Sequence, residues 1–206
     1  MKEGNKTALL ILAAGSSSRL GRPKQLLPWG NTNLLGHSII QGKKAGINDI
    51  FVVTGAFHEE VVASVKDLEA QIVFNKNWSE GMGGSIASGV SEISKSKNSY
   101  AQLVIMVCDQ PFVQAGFLKK LLAEAADKKQ SVVATSYAGI PGVPAVFDVS
   151  VFESLQKLKG SQGAKSLLLA LKEEVLLIED DTITTDIDTM ETYEQLFSQA
   201  FRPPEN

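Results

Sequence analysis

Residues Ala8-Leu9-Leu10-Ile11-Leu12-Ala13-Ala14, followed by Gly15-Ser16-Ser17-Ser18-Arg19-Leu20-Gly21-Arg22-Pro23-Lys24, decide how this chain folds. The apolar run is short, continuous and bounded by glycine, the pattern of a parallel strand covered on both faces. The stretch after it has the chemistry of a polyphosphate cradle. Glycine and serine let backbone N–H groups approach an anion. Arg19, Arg22 and Lys24 add fixed positive charge, the arginines with forked donors. The expected occupant is a nucleoside triphosphate. The plainer reading is a Gly/Ser turn between a strand and a helix. Three cations within six residues, directly after a buried strand, weigh against it. Neither familiar phosphate loop fits. A Walker A loop needs Gly-Lys-Ser/Thr after four intervening residues from its first glycine, where this chain has Leu20; a dinucleotide fingerprint needs glycine where it has Ser17.

Working outward, strand-like runs recur with helical stretches between them, which is the pattern of an α/β sheet. Residues 33–45 read as a helix with an apolar stripe of Leu34, Leu35, Ile39 and Ile40, closed by Gly46. Residues 50–53, 71–74, 103–107, 131–135 and 175–178 read as strands, and 114–126 as an amphipathic helix with Phe117, Leu118, Leu121 and Leu122 inward. Residues 139–147, with two prolines and two glycines, read as an irregular loop entering another strand. A short helix over 151–158, a second over 166–171 and a C-terminal helix through Tyr193, Leu196 and Phe197 complete the chain. The expectation is one domain over 1–206, a mostly parallel Rossmann-like sheet flanked by helices, with loose ends at 1–6 and 202–206.

Composition narrows the partners. With 206 residues, 44% hydrophobic and 21% charged, the chain can bury an ordinary globular core. A net charge of −3 gives no reason to expect nucleic acid. No run reaches the roughly 18 apolar residues of a membrane span. The polar segment Met1–Lys6 lacks the apolar centre of a signal peptide. The single cysteine, Cys108, excludes an internal disulfide and suits a reducing cytoplasm. One cysteine and two histidines, His37 and His58, are too few for a structural zinc site, and both histidines read as packing or surface residues.

Four further stretches carry chemistry. In Trp78-Ser79-Glu80-Gly81-Met82-Gly83-Gly84-Ser85, glycines at a helix start expose several N–H groups, suited to a base edge or a ribose; a glycine-rich connector reads equally well. Cys108-Asp109-Gln110-Pro111 ends the most apolar run in the chain. An acid there lies where open α/β sheets bind ligands, and a magnesium ion bridging it to triphosphate oxygens would account for it; a turn or cap is the alternative. Lys159-Gly160-Ser161-Gln162-Gly163-Ala164-Lys165 precedes a helix, and Lys165 is either an anion contact or a solvated lysine. In Asp186-Ile187-Asp188-Thr189-Met190-Glu191, Asp188 and Glu191 have capping-box spacing.

These motifs together resemble one family over nearly the whole chain. Leu12-Ala13-Ala14-Gly15-x-Ser17-x-Arg19-x-Gly21-x-Pro23-Lys24 resembles the signature loop of nucleotidyltransferases with a glycosyltransferase-A-like fold, and the continuation Lys24-Gln25-Leu26-Leu27-Pro28 is similar to that of the molybdenum cofactor cytidylyltransferases. The resemblance implies transfer of CMP from CTP to a molybdopterin-type phosphate acceptor, with Mg2+ and release of pyrophosphate. The product would go to a molybdenum hydroxylase. Another nucleotidyltransferase, using GTP or a sugar or alcohol phosphate, or an accessory protein that binds cofactor without turnover, are the alternatives. The resemblance further implies nucleotide contacts at Leu12, Ala13, Ala14, Gly15, Arg19, Lys24, Gly81, Gly83, Ser85 and Asp109. It places catalytic charge on Lys24, Arg19 and Asp109, and metal ligation on Asp109 and Asp188, with Asp186 as the second choice. Lys165, Pro144 and Gln110 would meet the second substrate. The chain departs from the family pattern at Gly84, where serine is usual, at Val143, where histidine is usual, and at Met190, which replaces proline.

Overall fold

The computed structural model describes residues 6–18, 20–127, 130–180 and 185–201. Arg19 and, of the ends expected to be loose at 1–6 and 202–206, residues 1–5 and 202–206 lie outside the described residues; Lys6 instead opens the first strand, where it pairs beside Tyr100. The opening run forms β1, Lys6–Ala13, buried throughout from Ala8 onward. A single 3-10 turn over Lys24–Leu26 follows, then a small hairpin of β2, Pro28–Trp29, and β3, Thr32–Asn33, that nothing in the sequence pattern announces. Helix α1, Leu34–Lys44, starts where Asn33 Oδ1 accepts from Gly36 N at 2.7 Å, a side-chain cap on an otherwise orphaned donor. Strand β4, Asp49–Thr54, helix α2, His58–Ser64, and strand β5, Gln71–Phe74, come next. They are followed by helix α3, Met82–Lys95, strand β6, Tyr100–Val107, and helix α4, Ala115–Ala126. The chain ends with β7, Val132–Tyr137; β8, Ile140–Asp148; α5, Phe152–Gln156; α6, Lys165–Ala170; β9, Val175–Glu179; and α7, Met190–Phe201.

Seven strands pair in the order β5-β4-β1-β6-β8-β7-β9. All neighbours run parallel except β8, which is antiparallel to both β6 and β7. The sheet is therefore the mostly parallel, helix-flanked one that the sequence pattern predicts. Strand alternation sorts its side chains into two layers. Leu9 and Ile11 of β1, with Val52, Val104 and Met106, pack under α1 and α4 through Leu35, Ile39, Phe117, Leu118 and Leu121. Leu10, with Val53, Leu103 and Ile105, packs under α3, α5 and α6 through Ile86, Val90, Ile93, Leu155 and Leu168. A smaller cluster of Leu20, Leu27, Trp29, Leu34, Ile187 and Leu196 joins the opening loop to the C-terminal helix.

Residues 140–148 correct the expected loop. They form a strand because their prolines fall where no ladder donor is needed. From Ala145 on, β8 has a neighbour on each side, but its proline-bearing half, Ile140–Pro144, pairs with β7 alone. The register slips between Ala134↔Ala145 and Thr135↔Gly142, so Val143 and Pro144 bulge outside the ladder. Edges and bulges are where strands tolerate proline. The Val143–Pro144 peptide is cis.

Helix α3 lies close on the sheet because Gly89 has no side chain: a Cβ there would sit 2.4 Å from Leu10 Cδ1 and 2.9 Å from Val53 Cγ2. Gly89→Ala therefore overpacks the layer and lowers stability by about 1–3 kcal/mol, read as a fall in the denaturation midpoint with unchanged m-value. Cys108 is buried, and its burial and then the neighbouring Asp109 charge push the thiol up to about 12, against an opposing effect of Lys24. The native protein should therefore leave Cys108 unmodified by a disulfide reagent at pH 8, and release one equivalent of thiol on denaturation.

Candidate active site

The carboxyl ends of β1 and β6 lie side by side, because β1 pairs with β6 up to Leu12↔Val107. The loop after β1 and the turn after β6 therefore meet. The first is held by two side-chain contacts. Gln25, 1% exposed, donates Nε2 to the carbonyls of Ala13 and Gly15, both at 2.8 Å. Ser17 Oγ accepts from the backbone N–H of Lys24 at 3.0 Å. These bonds bend the chain so that Lys24 returns over the strand end. Its ammonium donates to Asp109 Oδ2 and stands 3.6 Å from Asp188 Oδ1.

Asp188 comes from the far end of the chain, and one backbone bond brings it in: Ile187 N donates to the carbonyl of Asp109 at 2.9 Å. Ile187 is fully buried in the third apolar cluster. Extended backbone alternates its side chains, so anchoring Ile187 inward leaves Asp186 and Asp188 for the site. Asp186 Oδ1 accepts from Gln110 Nε2 at 2.8 Å. Burial raises the Asp186 carboxyl above its ordinary value, with the Asp109 charge acting in the same sense and the Gln110 hydrogen bond and Lys24 opposing. Burial alone would lower the pKa of Lys24, but the charge and hydrogen bond of Asp109, with smaller help from Cys108 and Asp188, hold it above the usual 10.5. The lysine is therefore a fixed cation, not a general base.

Two cavities open on this cluster and share Leu12, Met82, Val107 and Asp109 as a common wall. The first, about 330 Å³, is bordered by the end of β1, Gly15, Ser16, Lys24, Trp78, Gly81 and Ser85. The second, about 380 Å³, is bordered by Gln110, Tyr137, residues 140–143, Lys165, Leu168 and Asp186. Of the nucleotide contacts the resemblance implies, Leu12, Ala13, Ala14, Gly15, Lys24, Gly81, Ser85 and Asp109 all border the first cavity. Gln110 and Lys165 border the second. Asp188 stands beside Lys24 and borders neither.

Two residues lie elsewhere than expected. Gly83 borders neither cavity. Its N–H donates to the carbonyl of Gly160 at 2.8 Å, and a Cβ on it would meet the backbone of Lys159 at 2.6 Å. Gly81, at φ +116°, is equally tight against Gly160. These glycines let the 159–161 loop cross the start of α3, which sequence spacing alone reads as exposed N–H groups. Pro144 is buried behind the cavity wall, its carbonyl accepting from Thr135 Oγ1 at 2.7 Å; Pro141, Gly142 and Val143 form the wall instead. Tyr137 is a site residue that no sequence signal marks, being one more aromatic in a strand. Gln25 carried a motif but no visible task until the loop closed on it.

The donor set is oxygen-rich. Asp109 Oδ1 is buried with no hydrogen-bond partner among the described residues. With Asp188 close by, this fits a hard divalent cation that takes its remaining oxygens from phosphate and water. No group of three or more His, Cys, Asp or Glu among the described residues forms a self-sufficient metal cage. The histidines are occupied elsewhere: His37 Nε2 contacts the Pro111 carbonyl at 3.0 Å, and His58 Nδ1 the Thr54 hydroxyl at 2.7 Å. Neither borders either of these two cavities, so among the described residues the site holds charges and donors without a histidine-activated nucleophile.

Known proteins share this arrangement of chain. The chain is 30% identical over 191 residues to nicotine blue oxidoreductase of Paenarthrobacter nicotinovorans, covering 88% of this chain and 92% of that protein. It is 30% identical over 202 residues to purine catabolism protein PucB of Bacillus subtilis strain 168, covering 91% and 94%. A probable molybdenum cofactor guanylyltransferase of Bacillus mycoides is 27% identical over 132 residues, 63% of this chain and 62% of that one. Among solved structures, Rv0371c of Mycobacterium tuberculosis superposes with a TM-score of 0.79 at 25% identity, covering 94% and 98%. The same protein has been seen in complex with manganese. No helix among the described residues is long and apolar enough to cross a membrane. The MobA-like NTP transferase domain matches residues 9–175, from within β1 to the first residue of β9, and this chain belongs to that family.

Proposed function

We propose that the protein is a divalent-metal-dependent cytidylyltransferase that moves CMP from CTP to the phosphate of a molybdopterin-type acceptor and releases pyrophosphate. The observation that carries this reading is the pair of adjoining cavities meeting at Asp109: one beside the cationic loop for the triphosphate, the other beside Gln110 and Lys165 for the acceptor. In such a transfer an acceptor phosphate oxygen attacks the α-phosphorus and the bond to pyrophosphate breaks, so no protein nucleophile is needed. Positioning and charge neutralisation supply the catalysis. Asp109 and Asp188 are the residues that would hold Mg2+, which when bound neutralises charge on the phosphate oxygens. Lys24 carries charge toward the leaving phosphates, Ser85 and the backbone near Gly81 face the nucleoside, and Lys165 faces the acceptor phosphate. A cytoplasmic location and delivery to a molybdenum hydroxylase accompany this reading.

A second reading keeps the chemistry and changes the base. Relatives named as molybdenum cofactor guanylyltransferases favour GTP, and Gly84 lacks the hydroxyl that resembling cytidylyltransferases usually place there. Pyrophosphate release from CTP, GTP and UTP, each with molybdopterin and Mg2+, decides between them. CTP alone supports the first reading and GTP alone the second; release from none of them leaves the accessory-protein reading. With the preferred nucleotide, Lys24→Ala and Asp109→Asn should each retain the native circular dichroism spectrum. Each should lower kcat on the order of a hundredfold, about 3 kcal/mol in the barrier. A variant with near-wild-type turnover at saturating metal would remove that residue from the mechanism.

A further inference from the structure

The second cavity contains a hydrogen-bond chain that the proposed transfer does not itself require. Tyr137, at the end of β7, donates its hydroxyl proton to the Val143 carbonyl at 2.6 Å. The same hydroxyl accepts from Gln110 Nε2 at 2.9 Å. Gln110 Nε2 also donates to Asp186 Oδ1 at 2.8 Å. A carboxamide nitrogen has two protons, and both are now committed. The amide orientation follows: turned over, its oxygen would face a carboxylate and a hydroxyl whose proton is already used.

Gln110 is 5% exposed, and its Oε1 is buried without a partner among the described residues. An unsatisfied buried carbonyl is costly, and satisfied ones are the rule. Gln110, Tyr137, Val143 and Asp186 all border the second cavity, whose remaining wall is largely apolar, from Leu12, Met82, Ile86 and Leu168. The only hydrogen-bonding capacity Gln110 retains is that of an acceptor.

We propose that Tyr137 is a positioning residue that locks the Gln110 carboxamide with its oxygen as acceptor, so that the second cavity selects a substrate ring carrying an N–H or amino donor. This rests on reading that cavity as the acceptor site. These hydrogen bonds join β7, β8, the turn after β6 and the segment before α7 along one wall of the cavity.

Tyr137→Phe tests it, because the ring that packs on Gly142, where a Cβ would meet it at 2.7 Å, is kept and only the hydroxyl is lost. In pyrophosphate-release kinetics the variant should raise KM for molybdopterin about tenfold, as expected for one lost buried hydrogen bond. KM for the nucleotide and the melting temperature should stay near wild type. An unchanged KM for molybdopterin, or both KM values rising together with a lowered melting temperature, would overturn the positioning role. A wild-type enzyme inactive with molybdopterin would instead remove the acceptor assigned above. The role of Tyr137 is then read in the ligand-free protein from the 15N-resolved side-chain amide of Gln110. Faster exchange of one of its two protons in Tyr137→Phe supports the lock, and equal protection in both proteins refutes it.

Discussion

The ammonium of Lys24, held between the carboxylates of Asp109 and Asp188, is the contact on which the site depends. Its three members come from the loop after β1, the turn after β6 and the segment before α7. Bringing charges out of water is expensive, and an attraction between them repays it only with good geometry and further hydrogen bonds. The pair of Lys24 and Asp109 is largely buried, with side chains 20% and 11% exposed. It is therefore better understood as a functional arrangement than as a source of stability. Its members are held from outside by contacts that carry no charge: the Gln25 amide on the β1 end, and the Ile187 N–H on the Asp109 carbonyl. A cluster of like and unlike charges kept in place by neutral scaffolding is what a site for a charged ligand needs, since the ligand can then exchange partners with it without unfolding the frame.

The sheet explains why there are two cavities and not one. On one side of β6 lie β1, β4 and β5, all parallel, and their carboxyl ends present the loop after β1 and the glycine-rich start of α3. On the other side β8 runs the opposite way. Its early half, bulged at Val143 and Pro144, rises beside the same sheet end and walls off a second space. Asp109 ends the strand at this change of direction and faces both. Ligands in open α/β sheets gather outside the carboxyl ends of strands where the strand order turns, and the reversed strand adds a partition to that rule.

The names carried by relatives range from a guanylyltransferase to an oxidoreductase and a purine catabolism protein, the last two matching nearly the whole of this chain. A fold of this kind hosts several chemistries, and function has to be argued from the site. In the function proposed above, the first cavity, built from the strand end and the signature loop, takes the nucleoside triphosphate. The second, with the amide acceptor inferred above, takes the other substrate in the same proposal.

Much of this was legible in the chain itself. The continuous apolar run of β1, the alternation of strands and helices, and the clustering of Arg19, Arg22 and Lys24 follow from local periodicity and charge, which depend only on neighbours in sequence. Asp109 was also visible, because a carboxylate ending the most apolar strand has no place in a core. What sequence could not show were pairings across long separations. Residues 140–148 became a strand because β7 and a bulge accommodate their prolines. Gly83 turned its N–H to Gly160 because another loop crosses there. Tyr137 acquired a task only when Gln110, Val143 and Asp186 arrived around it. Periodicity is a one-dimensional signal and records which face a residue shows; which partner waits at that face is settled only when packing closes the chain on itself.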